Sequence, residues 1–184
     1  APRAVERCGG AGGVLCSLTR AAAYELRSRA KDLPEQIPDD QVGTLHALCW
    51  RALGRPKLHV DELGDWNARY PSLALSGEDD EIDDLSDSPR GTSHGEELHQ
   101  ATALRRARRT VEHLWTPAER DFAAKWRAWK TDIGVSDFTD LIEFALDGDV
   151  PPPGGANVVF YDEAQDGTRL ELDLIRRWAE QTEY

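Results

Sequence analysis

Several residue types and patterns are scarce in this sequence. The 184-residue chain has no methionine and only three cysteines, Cys8, Cys16 and Cys49. Because the cysteines are odd in number and lack CxxC spacing, they indicate neither a disulfide framework nor a zinc site, and we expect small buried side chains. No run approaches the roughly 20 apolar residues of a membrane helix, and no signal peptide is recognisable. We therefore expect a cytoplasmic protein without a membrane partner.

Basic residues are also scarce. The chain has 22 Lys and Arg against 34 Asp and Glu, a net charge of -12. This balance argues against a protein that coats nucleic acid, but it does not exclude a local DNA-binding face. The length suits one domain, or one domain with an insertion.

The first third of the chain alternates between strand and helix signals. Residues 14–18 (VLCSL) follow a glycine cluster and predict a buried parallel strand, after which Thr19 is placed to cap a helix over residues 20–31. Residues 41–44 predict a second short strand, followed by a helix over residues 46–53. This alternation predicts a parallel α/β sheet.

The middle of the chain, residues 58–150, carries no strand signal and is predicted to be an all-helical insertion. Residues 77–97 are acidic and rich in Ser and Gly, which favours a mobile loop. Helices are predicted over residues 98–114, after Thr116 and after Asp137, with Trp126 and Trp129 at core positions.

A basic cluster lies on the first of these helices, at Arg105, Arg106, Arg108 and Arg109. It could contact duplex DNA or pair with the acidic loop, but we favour a solvated helix face.

The chain then returns to the sheet, so that residues 1–57 and 151–184 form the predicted core. Residues 158–161 (VVFY) predict a central strand buried on both faces, and Thr168 opens a final helix with a capping box. Asp162 and Glu163 therefore follow the carboxyl end of a strand, where open α/β sheets bind ligands.

The acidic residues at this strand end suit nucleotide chemistry. Asp162 could hold Mg²⁺ directly or through water, and Glu163 could polarise a water for attack on a γ-phosphate. The alternative is that Asp162, Glu163 and Asp166 only place negative charge near the start of the helix at Thr168.

Three segments resemble helicase motifs in the order in which one family carries them. Residues 158–166 (VVFYDEAQD) resemble motif II, the Walker B element, of superfamily 1 DNA helicases of the UvrD/Rep/PcrA kind. Residues 18–27 (LTRAAAYELR) resemble motif Ia of that family, and residues 44–49 (TLHALC) resemble motif Ib. In addition, residues 137–142 (DFTDLI) resemble the DFDDLL stretch that precedes motif II.

The resemblance implies a RecA-like P-loop NTPase sheet with a helical insertion, from an enzyme that unwinds duplex DNA by translocating on single-stranded DNA with ATP. It implies that Asp162 binds Mg²⁺ through water and that Glu163 activates the attacking water. Gln165 would sense the nucleotide in the catalytic site, and Asp166 would join Asp162 in cofactor binding and link the site to the DNA side.

Motifs Ia and Ib line the single-stranded DNA path in this family. The resemblance therefore implies that four residues contact the phosphate backbone: Thr19, Arg20, Thr44 and His46. Two departures affect this path, because the motif Ia aromatic is Leu18 here and the usual lysine is Ala21.

The phosphate-cradling pattern GxxxxGK[ST] is absent, since no GK[ST] occurs and the glycines of residues 9–13 lack both the lysine and the hydroxyl residue. We therefore expect an internal fragment of a helicase, truncated at both ends, whose partners include duplex junctions and the second RecA-like domain of the parent chain. Two alternatives stay open. The chain could be a non-catalytic DNA-binding or assembly module that has lost its phosphate loop, or the ATPase domain of a nuclease-fused repair helicase.

Overall fold

A computed structural model describes residues 12–31, 37–77 and 93–182. Cys8, Gly9, Gly10, Ala11 and most of the predicted acidic loop lie outside the described residues. The strands are β1 (Gly13–Ser17), β2 (Val42–Thr44) and β3 (Val158–Tyr161). The α-helices are α1 (Arg20–Ala30), α2 (Leu45–Ala52), α3 (Leu63–Arg69), α4 (His94–Ala107), α5 (Pro117–Ile133), α6 (Phe138–Asp147) and α7 (Arg169–Glu180).

The chain divides into two compact units. The sheet unit contains the described residues up to Arg55 and those from Asp140 onward, and the helical unit contains the described residues of Pro56–Thr139. The predicted insertion of residues 58–150 thus includes α6, which lies in the sheet unit from Asp140 onward. Within the described ranges, no helix is both long and apolar enough to cross a membrane.

The sheet is parallel, with β1 between β2 and β3. This confirms the predicted α/β class with a parallel sheet. The expectation that residues 158–161 form a central strand is wrong for the described residues, because β1 pairs on both sides and β3 pairs only with β1. Accordingly, Val158 is buried while the other three β3 side chains are half-buried.

Helices cover both faces of this sheet. Successive side chains of a strand point to opposite faces, and on one face Leu15 of β1 packs in a cluster with Ala30 of α1. Cys16, the next residue, lies near Cys49 of α2 and Glu171 of α7, whose electrostatic fields act on its thiol. The sheet unit is therefore layered, with α1 on one face and α2 and α7 on the other.

Threonine caps begin three helices of the sheet unit. The Oγ1 atoms of Thr19 and Thr44 accept hydrogen bonds from the N–H groups of Ala22 and Ala47, at 3.1 and 3.3 Å. Thr168 forms the predicted capping box with Glu171. Each cap supplies an acceptor for a helix N–H that has no intrahelical partner.

The core of the helical unit is aromatic. Trp126 stacks on Trp129 at a centroid distance of 4.8 Å, and Trp66 meets Trp126 edge-on at 4.8 Å. Phe122 and all three tryptophans are buried. The prediction that Trp126 and Trp129 are core residues is confirmed.

Helix α4 begins earlier and ends sooner than residues 98–114 predict. Ser93 and Glu96 form a capping box, so residues 94–97 of the predicted acidic loop are helical. The helix ends at Ala107, and Arg109 adopts a left-handed φ of 52° that stops it from continuing. Residues Glu112–Leu114 form a separate 3₁₀ turn.

The predicted solvated face of the basic cluster is wrong for two of its members. Arg105 pairs with Glu119 at 3.2 Å, and Arg106 pairs with the buried carboxylate of Asp137 at 2.8 Å. Glu119 lies on α5 and Asp137 precedes α6, so these pairs form only when both later segments pack near α4. Arg108 and Arg109 are exposed.

Candidate functional site

The candidate site lies at the carboxyl edge of the sheet. Ser17, the last residue of β1, is in register with Thr44 at the end of β2, and Cys16 is in register with Tyr161 at the end of β3. The N–H of Asp162 donates to the carbonyl of Cys16 at 2.9 Å, which extends the β1–β3 pairing by one residue. All three strands therefore end at one level.

This common edge brings together segments that are far apart in sequence. Thr19 and Arg20 follow β1, Thr44 and His46 stand at the end of β2, and Asp162 follows β3. Because β1 is the middle strand, the segment at Thr19 lies between the other two. The structure thus places every predicted site residue at, or within a few residues of, a strand's carboxyl end.

The turn after β3 is short and folded on itself. Glu163 adopts a left-handed backbone with φ 55° and ψ 38°, and its carbonyl accepts from the N–H of Asp166 at 2.9 Å. The side-chain amide of Gln165 donates to the carboxylate of Glu163. The two residues predicted to act in catalysis are therefore in direct contact.

Asp162 and Asp166 present carboxylates to solvent at this turn. Both residues are exposed, and within the described ranges neither carboxylate has a hydrogen bond or an ion pair. A free carboxylate at a fixed strand end suits an outer-sphere Mg²⁺ ligand, because Mg²⁺ keeps several waters and takes few protein ligands. In the described part of the chain, no group of three or more His, Cys, Asp or Glu side chains could hold a metal ion. Asp162 could hold such an ion through the waters that the ion keeps.

Among the residues that the structure places, the hydroxyls of the capping residues Thr19 and Thr44 donate no hydrogen bond. Each hydroxyl accepts a helix N–H through its oxygen, so its own hydrogen can still be donated to a ligand. Thr19 and Thr44 are both half-buried, and Arg20 beside them is exposed. This edge can therefore offer two hydroxyl donors and one guanidinium to an anionic ligand such as a phosphate.

Tyr161 is a feature of the site that the sequence reasoning missed. Its hydroxyl is buried and has no hydrogen-bond partner among the described residues. Burial raises the pKa of this phenol well above its usual value, and the negative charge of Glu171 adds to the effect. A Cβ on Gly167 would lie 2.9 Å from the hydroxyl, so the turn between Asp162 and Thr168 packs directly on it. The sequence gives one indication of this buried hydroxyl, which is that a tyrosine ends the apolar run of β3.

A cavity of about 490 Å³ lies away from these residues. It is lined by the end of α1 and the start of β2, including Ala30 and Val42, which places it toward the amino edge of the sheet. Arg27 lines it while donating to the carbonyl of Val42 at 2.8 Å. None of the predicted site residues borders this cavity.

No family model, curated protein or solved structure matches the chain. Its functional interpretation therefore depends on the motif-like segments and on the geometry at the carboxyl edge.

Proposed function

We propose that this chain is part of the first RecA-like ATPase domain of a UvrD/Rep/PcrA-like superfamily 1 DNA helicase. One observation carries the proposal. The segments that resemble motifs Ia and Ib end by residue 49 and the one that resembles motif II begins at residue 158, yet all three lie at the ends of neighbouring parallel strands. Open α/β sheets bind ligands at the carboxyl ends of their strands, so this shared edge supports a site for both nucleotide and DNA.

The residues after β3 have different roles in the proposed hydrolysis of ATP. Glu163 accepts a proton from the water whose oxygen attacks the γ-phosphorus, and the bond from that phosphorus to the bridging oxygen of ADP breaks. The Gln165 amide donates a hydrogen bond to the Glu163 carboxylate and restrains the position of that carboxylate. Asp162 would hold Mg²⁺ through water, and the ion would neutralise charge on the phosphates.

The DNA side of the proposal uses Thr19, Arg20, Thr44 and His46. Hydroxyl and guanidinium donors bind phosphates without reading sequence, which suits a protein that moves along a strand. The attraction is local, so it is compatible with the net charge of -12.

Binding of single-stranded DNA tests the DNA side. We expect the 184-residue chain to bind a fluorescent oligothymidylate at low salt, with affinity falling as salt rises. Arg20→Ala should weaken binding and reduce the salt slope by about 0.7, the value for one lost single-strand phosphate contact. Arg29→Ala is the matched control, because Arg29 is an exposed arginine in the last turn of the same helix. Equal losses in the two variants would contradict the proposed path.

A second candidate function is a non-catalytic DNA-binding or assembly module, which the absence of a GK[ST] sequence favours. Under the helicase proposal the phosphate loop is encoded upstream, so the reading frame before Ala1 should contain GxxGxGK[ST] within some tens of residues. Its absence there would favour the second candidate. Single-stranded-DNA-stimulated ATP hydrolysis by the 184-residue chain alone would contradict the assignment of the loop to another segment.

A further inference from the structure

We propose that Tyr24 is a base-stacking residue for single-stranded nucleic acid, acting beside Arg20 on α1. The inference rests on the proposed function, since it adds a residue to the same DNA path. It goes further by naming a contact to the bases, whereas the other residues of that path offer donors to phosphates.

The side chain of Tyr24 is unusually exposed to solvent for its size. It is 75% exposed, against 58% for Leu114 and 49% for Phe144. Within the described ranges, Tyr24 makes no hydrogen bond and no ring contact. An aromatic ring that is this exposed to solvent has apolar surface that a ligand can cover.

The position of Tyr24 on α1 directs it toward the candidate site. Helical side chains lean toward the N-terminus of their helix, so the ring of Tyr24 covers the turn that begins at Arg20. That turn follows the end of β1 directly, at the carboxyl edge. Ala21 and Ser28, one turn before and after on the same face, are short and leave the ring uncovered.

Tyr24 and Arg20 lie one helical turn apart, so they provide an aromatic ring and a cation for a single-stranded nucleic acid. Bases of any identity stack on an aromatic face, while an arginine neutralises the phosphates between them. Leu18, just before the helix, has no π-face and cannot supply this contact. Tyr24 is therefore the aromatic group of α1 that can hold a base at this edge, because no other residue from Arg20 to Ala30 is aromatic.

The test compares two oligonucleotides with the same number of phosphates, one of thymidylates and one of abasic tetrahydrofuran units. We expect the 184-residue chain to prefer the thymidylates by at least about 5-fold, the effect of one stacked base. Tyr24→Ala should abolish that preference, and Tyr24→Phe should retain it. Arg20→Ala should weaken binding to both oligonucleotides equally. Phe144→Ala, which removes another exposed aromatic of the sheet unit, should leave both affinities unchanged.

The outcomes separate the two proposals. If Tyr24→Ala keeps the full preference for thymidylates, or if the wild-type chain binds both oligonucleotides equally, the stacking role is wrong and the proposed function stands. If the wild-type chain binds neither oligonucleotide at low salt, the proposed DNA path fails and the stacking role fails with it. Because Tyr24 is exposed, circular dichroism should show the same fold and thermal midpoint in all Tyr24 variants.

Discussion

The side-chain amide of Gln165 donates a hydrogen bond to the carboxylate of Glu163 across the turn that follows β3. This contact fixes the carboxylate while leaving Glu163 exposed to solvent. A carboxylate that is held in place but exposed to water could accept a proton, as the proposed function requires.

Under the proposed function, Glu163→Gln should abolish ATP hydrolysis in a longer chain that also carries a phosphate loop. The amide keeps the shape of the side chain but cannot accept the proton, so turnover should fall by about 10²-fold or more. Nucleotide affinity should be retained and can be measured with a fluorescent ATP analogue. Gln165→Ala, which leaves the carboxylate intact, should reduce turnover less. Wild-type turnover in Glu163→Gln would show that Glu163 is not the base.

Asp137→Ala should severely destabilise the helical unit. One oxygen of the buried Asp137 carboxylate accepts from Arg106 at 2.8 Å, Lys130 at 2.6 Å and Trp126 at 2.9 Å. Removing it leaves two cations without this partner, which typically costs about 3–5 kcal/mol.

Urea unfolding followed by circular dichroism measures that loss. Asp132→Ala is the matched control, because it removes a carboxylate from an ion pair with Arg69 whose partners are both exposed. The control should change the unfolding midpoint only slightly. Similar midpoints for the two variants would mean that the buried Asp137 contacts stabilise the fold no more than an exposed ion pair does.

Gly154 and Gly155 form a matched pair in the loop before β3. Both have positive φ, 73° and 63°, but a Cβ on Gly154 would lie 1.6 Å from Nε2 of Gln41, whereas a Cβ on Gly155 meets nothing within 4 Å. Gly155→Ala should cost about 1–2 kcal/mol from its backbone alone. Gly154→Ala should cost clearly more, because the buried Gln41 side chain must also move.

Chemical denaturation of both variants in a Gln41→Ser background measures how much of the stability loss comes from the clash between the new Cβ at position 154 and the Gln41 side chain. Shortening residue 41 should bring the two alanine variants close to the same stability. A persistent difference would assign the cost of Gly154→Ala to another source.

The thiols of Cys16 and Cys49 should resist alkylation in the folded protein. Burial raises the pKa of both thiols well above the usual value, so the reactive thiolate is scarce at pH 8. Iodoacetamide at that pH should label neither residue until urea is added, as peptide mass spectrometry can establish for each site. Rapid labelling of either thiol without denaturant would contradict the packing of α2 and α7 on β1.

Stability should fall with acid partly through Glu119. The backbone N–H of Thr116 lowers the pKa of this capping carboxylate, and Arg105 adds to the effect. A lowered folded pKa means that the contribution is present above the unfolded value of about 4.3 and is lost as pH falls through the folded value. Glu119→Gln should therefore flatten the pH dependence of the urea midpoint between neutral and acidic pH. An unchanged pH dependence would contradict this role.

Local signals predicted the elements that depend on a few adjacent residues. Thr116 with Glu119 and Thr168 with Glu171 form the capping boxes that their spacing indicates. The start of α4 was missed although Ser93 and Glu96 carry the same signal, because the acidic Ser- and Gly-rich composition around them outweighed it.

Contacts between distant residues could not be predicted in the same way. Arg105 and Arg106 were expected to be solvated, and their partners Glu119 and Asp137 lie 14 and 31 residues further along the chain. Likewise, the burial of the Tyr161 hydroxyl, which has no hydrogen-bond partner in the part of the chain that the structure describes, depends on how the turn at Gly167 packs over it.

The sequence by itself determined the strands, most helix starts and the acidic turn after β3, since apolar periodicity and capping act within a few residues. It also identified the segments that resemble helicase motifs. Only the tertiary structure decided that β1 lies between β2 and β3, so that Thr19, Thr44 and Asp162 meet at one edge. Strand order is set by the packing of helices on both faces of the sheet, a property of the whole unit that no single segment carries.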